Sequence, residues 1–205
     1  TAMPIKKYNS LFWTAVRRCL WMVLWLSSAF LMICPETTWA ATFTVNSATD
    51  AVDANPGNGI CATAATQCTL RAAIQEANAL AGGPHTITVP AGTYTLTIGG
   101  APDNATVRGD LDIVASMTIA GAGADTTIIN ANGLDRVFHI VGGITVTFSG
   151  LTVQNGIAPP ASDGGGIFCP GAALTLTNVA IRNNTARDGA GVYNGTLTAT
   201  LTNVE

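Results

Sequence analysis

Two phrases, Asp163-Gly-Gly-Gly-Ile167 and Leu176-Thr-Asn-Val179, return 25 residues later as Asp188-Gly-Ala-Gly-Val192 and Leu201-Thr-Asn-Val204. Upstream, Phe148-Ser-Gly-Leu151 lies 28 residues before Leu176, and Ile119-Ala-Gly-Ala122 lies 29 before Phe148. From Ile87 onward, short alternations of Thr, Val, Ile and Leu recur between Gly, Asn and Asp turns, which is a strand–turn pattern. A period of about 25 predicts one coil of a parallel β-solenoid, with three short strands and three turns. A coil cannot bury its inward face alone, so coils must stack about 4.8 Å apart. Stacking places Ile119, Phe148, Leu176 and Leu201 in one interior column and leaves outward Thr on exposed strand faces. Asn130, Asn155 and Asn183 are expected to form an amide ladder in one bend. A leucine-rich repeat would show Leu at tighter spacings and helical pieces, and an immunoglobulin-like sandwich would not repeat its turns at this interval.

Composition agrees. The chain has 205 residues, of which only 10% are charged, against about 25% in ordinary soluble proteins. All 22 Gly follow residue 40. Residues 1–40 carry a charge of +3 and residues 41–205 a charge of −6, the latter with five Arg and no Lys. No basic stripe exists for nucleic acid or for an anionic membrane surface.

Residues 1–40 read as an export leader. A basic stretch from Lys6 to Arg18 precedes an apolar run from Leu20 to Ile33, which Cys34-Pro35 ends. The fourteen residues of this run fall short of the about 20 that a membrane span needs. Thr38 and Ala40 place the expected cleavage after Ala40, and the competing reading is a retained anchor. Export predicts an extracellular, cell-surface or outer-membrane location with no membrane span in the mature part. In such an oxidising compartment Cys61 and Cys68, bracketing a short polar loop, favour a structural disulfide, with a metal site as the rival reading. Cys169 is either a small core residue or the partner of a cysteine elsewhere.

Residues 41–84 differ from the coils. Phe43-Thr-Val45 reads as a strand and residues 46–59 as an Asp/Asn/Gly/Pro loop. Thr69–Leu80 reads as the one helix, with Thr69 as N-cap and Leu70, Ile74 and Ala77 on one face. Gly82-Gly83-Pro84 stops it. Such a helix would cover the open end of the apolar stack. Residues 85–205 are then the coils. Thr200–Glu205 stops inside a repeat, so the sequence is expected to be truncated at its C-terminus.

Residues 43–97 resemble the CSLREA domain of exported bacterial right-handed β-helix proteins. The resemblance is carried by Thr44-Val-Asn-Ser47, Asp53-Ala-Asn-Pro-Gly57, Cys61 and Cys68-Thr-Leu-Arg-Ala-Ala-Ile-Gln-Glu-Ala-Asn78. The naming motif reads Cys68-Thr-Leu-Arg-Ala-Ala73, so Arg71 is kept and the acidic position is Ala72. Gly164-Gly-Gly-Ile167 and Ile181-Arg-Asn-Asn-Thr-Ala186 are similar to polymorphic outer-membrane protein repeats. The resemblance implies a right-handed parallel β-helix, a bacterial surface location and an adhesin-like role.

Candidate sites are few. Asp50, Asp53, Asn55 and Asn58 could offer oxygens to Ca²⁺, but Gly57 and Ala64 stand where an EF-hand needs a donor and a Glu, so an Asx-rich turn is expected. Asp163 and Asp188 share a register, which would set their carboxylates about 5 Å apart, close enough to share a cation. Both precede Gly, the usual turn chemistry, and Arg182 and Arg187 are the nearby cations. His85 and His139 have no repeat partners and read as structural or surface residues. Arg108-Gly-Asp110 matches the integrin tripeptide by coincidence, and Tyr94 and Tyr193 are placed by no motif. No catalytic residue, metal or cofactor is assigned, and the ligand, glycan or protein, is unknown. The expectation is an exported surface scaffold. Its rival is a β-helix polysaccharide lyase or glycoside hydrolase acting at Asp163 and Asp188, or through coils outside this sequence.

Overall fold

The computed structural model describes residues 39–100, 103–195 and 199–205. The leader expected over residues 1–40 lies outside them up to residue 38. The described chain is a parallel β-solenoid of about four turns with one short helix.

One sheet runs in the order β1 (Thr42–Thr44), β2 (His85–Val89), β5 (Met117–Gly121), β8 (Thr145–Gln154), β10 (Ala173–Arg182) and β12 (Ala199–Val204). Onto the later half of β8 pairs β6 (Thr127–Asn130), which in turn pairs β3 (Gly92–Thr95). A second sheet runs β4 (Leu111–Ile113), β7 (Phe138–Ile140), β9 (Ile167–Cys169) and β11 (Val192–Asn194). Every pairing is parallel, as stacked coils require.

The expected column is present in register, Ile119 pairing with Phe148, Phe148 with Leu176 and Leu176 with Leu201; the first three are buried, but Leu201 is exposed rather than interior. It also extends upstream through Ile87 to Phe43, so the sheet begins inside the segment assigned to the cap. The second sheet contributes Leu111, Phe138 and Ile167, all fully buried. Phe138 and Phe148 meet across the coil with ring centroids 4.7 Å apart. Cys169 is a buried core residue whose thiol donates to the Ala172 carbonyl, as its reading as a small core residue expects. Burial pushes that thiol's pKa up.

The bends show why Gly and Asn recur. Within β8 and β10 the chain turns a corner at Gly150 and Asn178, both left-handed, and Asn203 repeats the conformation in β12. A Cβ on Gly121 would meet the Gly150 carbonyl oxygen at 2.2 Å, so the chains there touch backbone to backbone. Asn tolerates the left-handed region better than other residues with a Cβ. Asn203 donates to Asn178 across one coil at 2.8 Å, a pair the sequence reading missed. Of the expected ladder, Asn155 donates to Asn130 at 3.0 Å. Among the described residues no side-chain bond carries the ladder on to Asn183; the next residue, Asn184, bonds backbone instead, accepting from the Gly156 amide and donating to the Val153 carbonyl.

The helix α1 (Leu70–Ala79) is capped by Thr69, whose hydroxyl accepts from the Ala72 amide. Leu70, Ile74 and Ala77 are buried in the core. The C-terminal turn of α1 closes the outer edge of β4. There Asn78 donates to the Asp112 carbonyl at 2.8 Å and accepts from the Val114 amide at 3.0 Å, replacing a neighbouring strand. His85 fastens the start of the sheet to the end of α1. Its Nδ1 accepts from the Ala41 amide, which leaves Nε2 to donate to the Leu80 carbonyl, each at 3.1 Å.

The Cys61–Cys68 disulfide forms, with Cα atoms 5.1 Å apart. Its loop is pinned further because the Cys68 amide and carbonyl both bond to Asn46. Closing so short a loop stabilises the fold by about 2–3 kcal/mol. The double substitution C61S/C68S is therefore expected to lower the urea-unfolding free energy by that amount. Reductant should do the same to the native protein and leave the double variant unchanged.

Candidate functional site

The acidic residues of the N-terminal loop are engaged with backbone. Asp53 accepts from the Asn55 and Ala62 amides, and Asn58 from that of Ile60. Glu76, fully buried on α1, accepts from the Gly57 and Gly59 amides. The Asp53–Asn55 and Asn58–Ile60 bonds are the Asx-turn contacts expected of this loop. Asp50 takes the Thr97 and Ile98 amides and the Nε and Nη2 donors of the Arg71 guanidinium. Arg71 thus finds its acid in the loop, not at the next position of its own helix.

Asp163 and Asp188 are not a bare carboxylate pair. Arg187 lies between them, with Nη2 2.9 Å from Asp163 Oδ1 and Nε 3.1 Å from Asp188 Oδ2. Arg182 lies apart, toward Asp125 and Glu205 at 3.9 and 3.5 Å. The turns matter for what they flank. Gly164 and Gly189 are left-handed, and a Cβ on either would strike the backbone of Phe168 or Tyr193 at 2.7–2.9 Å. The Asp-Gly turns therefore lie flat against two aromatic residues.

Those aromatics belong to a column on the outward side of the second sheet. Asp112 pairs with His139, His139 with Phe168 and Phe168 with Tyr193. Centroids are 5.3 Å apart from His139 to Phe168 and again from Phe168 to Tyr193. All three rings are half-buried, each with part of its surface in solvent. The Arg136 guanidinium sits 4.6 Å from the Phe168 centroid, held by a bond from its Nε to the Asp163 carbonyl. The result is a stepped aromatic strip edged by Arg136, Asp163, Arg187 and Asp188. Tyr94 is not part of it; buried on the other sheet, it donates to the Pro90 carbonyl.

At its first rung the strip meets three buried acids. Asp112 is fully buried, with Oδ2 accepting from the Thr106 amide and Oδ1 3.1 Å from His139 Nδ1. Asp110, the third residue of the Arg-Gly-Asp tripeptide, is 2% exposed and therefore unavailable to a partner protein. Its carboxyl pKa is pushed up to about 8, first by burial and then by the neighbouring charges of Asp112 and Asp135. Asp135 is raised in the same direction, mainly by burial.

The burial of Asp110 agrees with Arg-Gly-Asp being a chance match, while His139, with no repeat partner of its own residue type, proves to be part of a column. The available signal was the coil period itself: Asp112, His139, Phe168 and Tyr193 are spaced 27, 29 and 25 residues apart. Comparison of the chain with known families, with characterised proteins and with solved structures gives no match. Among the described residues, no helix is long and apolar enough to cross a membrane.

Proposed function

We propose that the protein is an exported bacterial surface solenoid that binds a glycan along the strip formed by His139, Phe168 and Tyr193. The observation that carries this reading is the spacing of the rings, one per coil at 5.3 Å. Pyranose rings present flat C–H faces that stack on aromatic side chains, while their hydroxyls need polar partners at the edge. The strip supplies both, with Asp163, Asp188, Arg136 and Arg187 along its margin. A glycan laid parallel to the solenoid axis would cross one ring per coil. In this reading residues 41–84 are the CSLREA-type cap and the following coils are the polymorphic outer-membrane type. The disulfide, the buried Arg71 and the helix that covers β4 support that assignment. Arg187 occupies the gap between Asp163 and Asp188 where a shared catalytic cation would sit, which favours binding over lyase or hydrolase chemistry.

Affinity electrophoresis of the protein through gels containing neutral or acidic soluble polysaccharides tests the proposal. Retardation by at least one polysaccharide is expected. Phe168→Ala and Tyr193→Ala should each weaken it at least tenfold, with the melting temperature recorded alongside. Equal retardation of both variants and the native protein would sink the glycan reading. Release of unsaturated or reducing-end products, abolished by Asp163→Ala, would favour the enzyme instead.

A further inference from the structure

We propose that Asp110, Asp112 and His139 form a binding site for one divalent transition-metal ion of the Zn²⁺ or Mn²⁺ class. One oxygen from each carboxylate and one ring nitrogen lie within 4.8 Å of one another, near enough for a single ion to draw in all three. The residues come from adjacent strands, β4 and β7, and from the turn entering β4, so the sheet fixes their relative position.

A second observation points to a ligand. Asp110 is 2% exposed, yet its carboxylate accepts no hydrogen bond and joins no ion pair among the described residues. Only its backbone carbonyl is used, by Arg71. A buried carboxylate without a partner is costly, and a bound cation removes that cost. The charge around it is unbalanced in the same sense. Asp112 and Asp135 are buried nearby, and Arg136, whose Nε is turned to the Asp163 carbonyl, offsets only part of the charge of the three acids. The Arg71 guanidinium is taken by Asp50 and by backbone carbonyls.

The donor set selects the ion. Ca²⁺ takes six to eight oxygens and Mg²⁺ prefers carboxylates and water, whereas a set of imidazole and carboxylates suits first-row transition ions. The Thr106 amide on Asp112 Oδ2 orients that carboxylate, leaving Oδ1 toward His139, the outer-shell arrangement that supports a metal ligand. The His139 side chain is 19% exposed, which gives an ion a way in and leaves positions for water. A metal here would lie at the first rung of the aromatic strip. The site does not depend on the glycan reading.

The test uses the full chain, stripped with chelator and titrated with Zn²⁺ alone. The protein has two His in all, so each imidazole can be followed separately by NMR. One equivalent of Zn²⁺ is expected to move the His139 signals and leave those of His85 in place. Asp110→Asn and His139→Phe should each weaken Zn²⁺ uptake at least tenfold in a dye-competition assay. The His85 signals of each variant report whether its cap is intact. Lack of saturable uptake, uptake that leaves the His139 signals unmoved, or uptake unchanged in both variants overturns the proposal. The His139 readout on the native protein decides it even if a variant fails to fold.

Discussion

Phe148→Ala is expected to destabilise the protein by about 3–5 kcal/mol, the cost of removing a fully buried aromatic side chain that its surroundings cannot replace. Phe148 is fully buried, sits between Ile119 and Leu176 in the interior column, and touches Phe138 across the coil. Its neighbours are held by hydrogen-bonded strands on both sides, so they cannot collapse into the space. The same column contains a control. Leu201 pairs with Leu176 but is 55% exposed, so Leu201→Ala removes little burial and should cost under about 1 kcal/mol. Urea unfolding with the disulfide intact measures both. Equal losses from the two variants would mean that column position does not govern stability.

Arg71→Met is expected to cost a similar amount, about 3–5 kcal/mol, for a different reason. The Arg71 side chain has no exposed surface. It donates to Asp50 through Nε and Nη2 and to the carbonyls of Thr106, Gly109 and Asp110 at 2.9–3.3 Å. Methionine fills most of the volume but leaves the Asp50 charge without its cation and the Gly109 and Asp110 carbonyls without a donor, while Thr106 keeps only the bond from Gln75. Arg71→Lys should recover less than half of the loss, because a single ammonium cannot reach groups arranged around a planar fork. Adding Asp50→Asn to Arg71→Met should cost less than the separate losses combined, since the charge left behind is then gone. A fully stable Arg71→Lys variant would show that charge alone, not the fork, holds this junction.

The contrast between these two residues explains what could be read from the sequence. Phe148 announces itself by recurrence: an apolar residue returns in the same turn context one coil later, because each coil meets the same packing problem. Phe43 and Ile87 belong to the same column, but α1 and its loop stretch the interval between them to 44 residues and hide the period. Arg71 is legible as a motif residue, yet its partner Asp50 lies in an irregular loop where no periodicity can point to it. The outward column was overlooked for another reason. Asp112, His139, Phe168 and Tyr193 keep the coil spacing but change residue type at every step, so similarity of residues does not reveal them. Inward positions repeat because the core demands one chemistry. Outward positions are free to differ, and that freedom is what a binding surface uses.

The helix lying along β4 also sets a rule for how copies can meet. A stack of strands open at both ends is a head-to-tail surface, each molecule offering a donor edge to the next, and such contacts propagate into filaments. Here the second sheet begins with a strand whose outward amide and carbonyl partners are already supplied by Asn78. The first sheet begins with only the three residues of β1. This end offers too little edge for another copy to extend. Head-to-tail growth, which needs this end to receive the next copy, is thereby blocked.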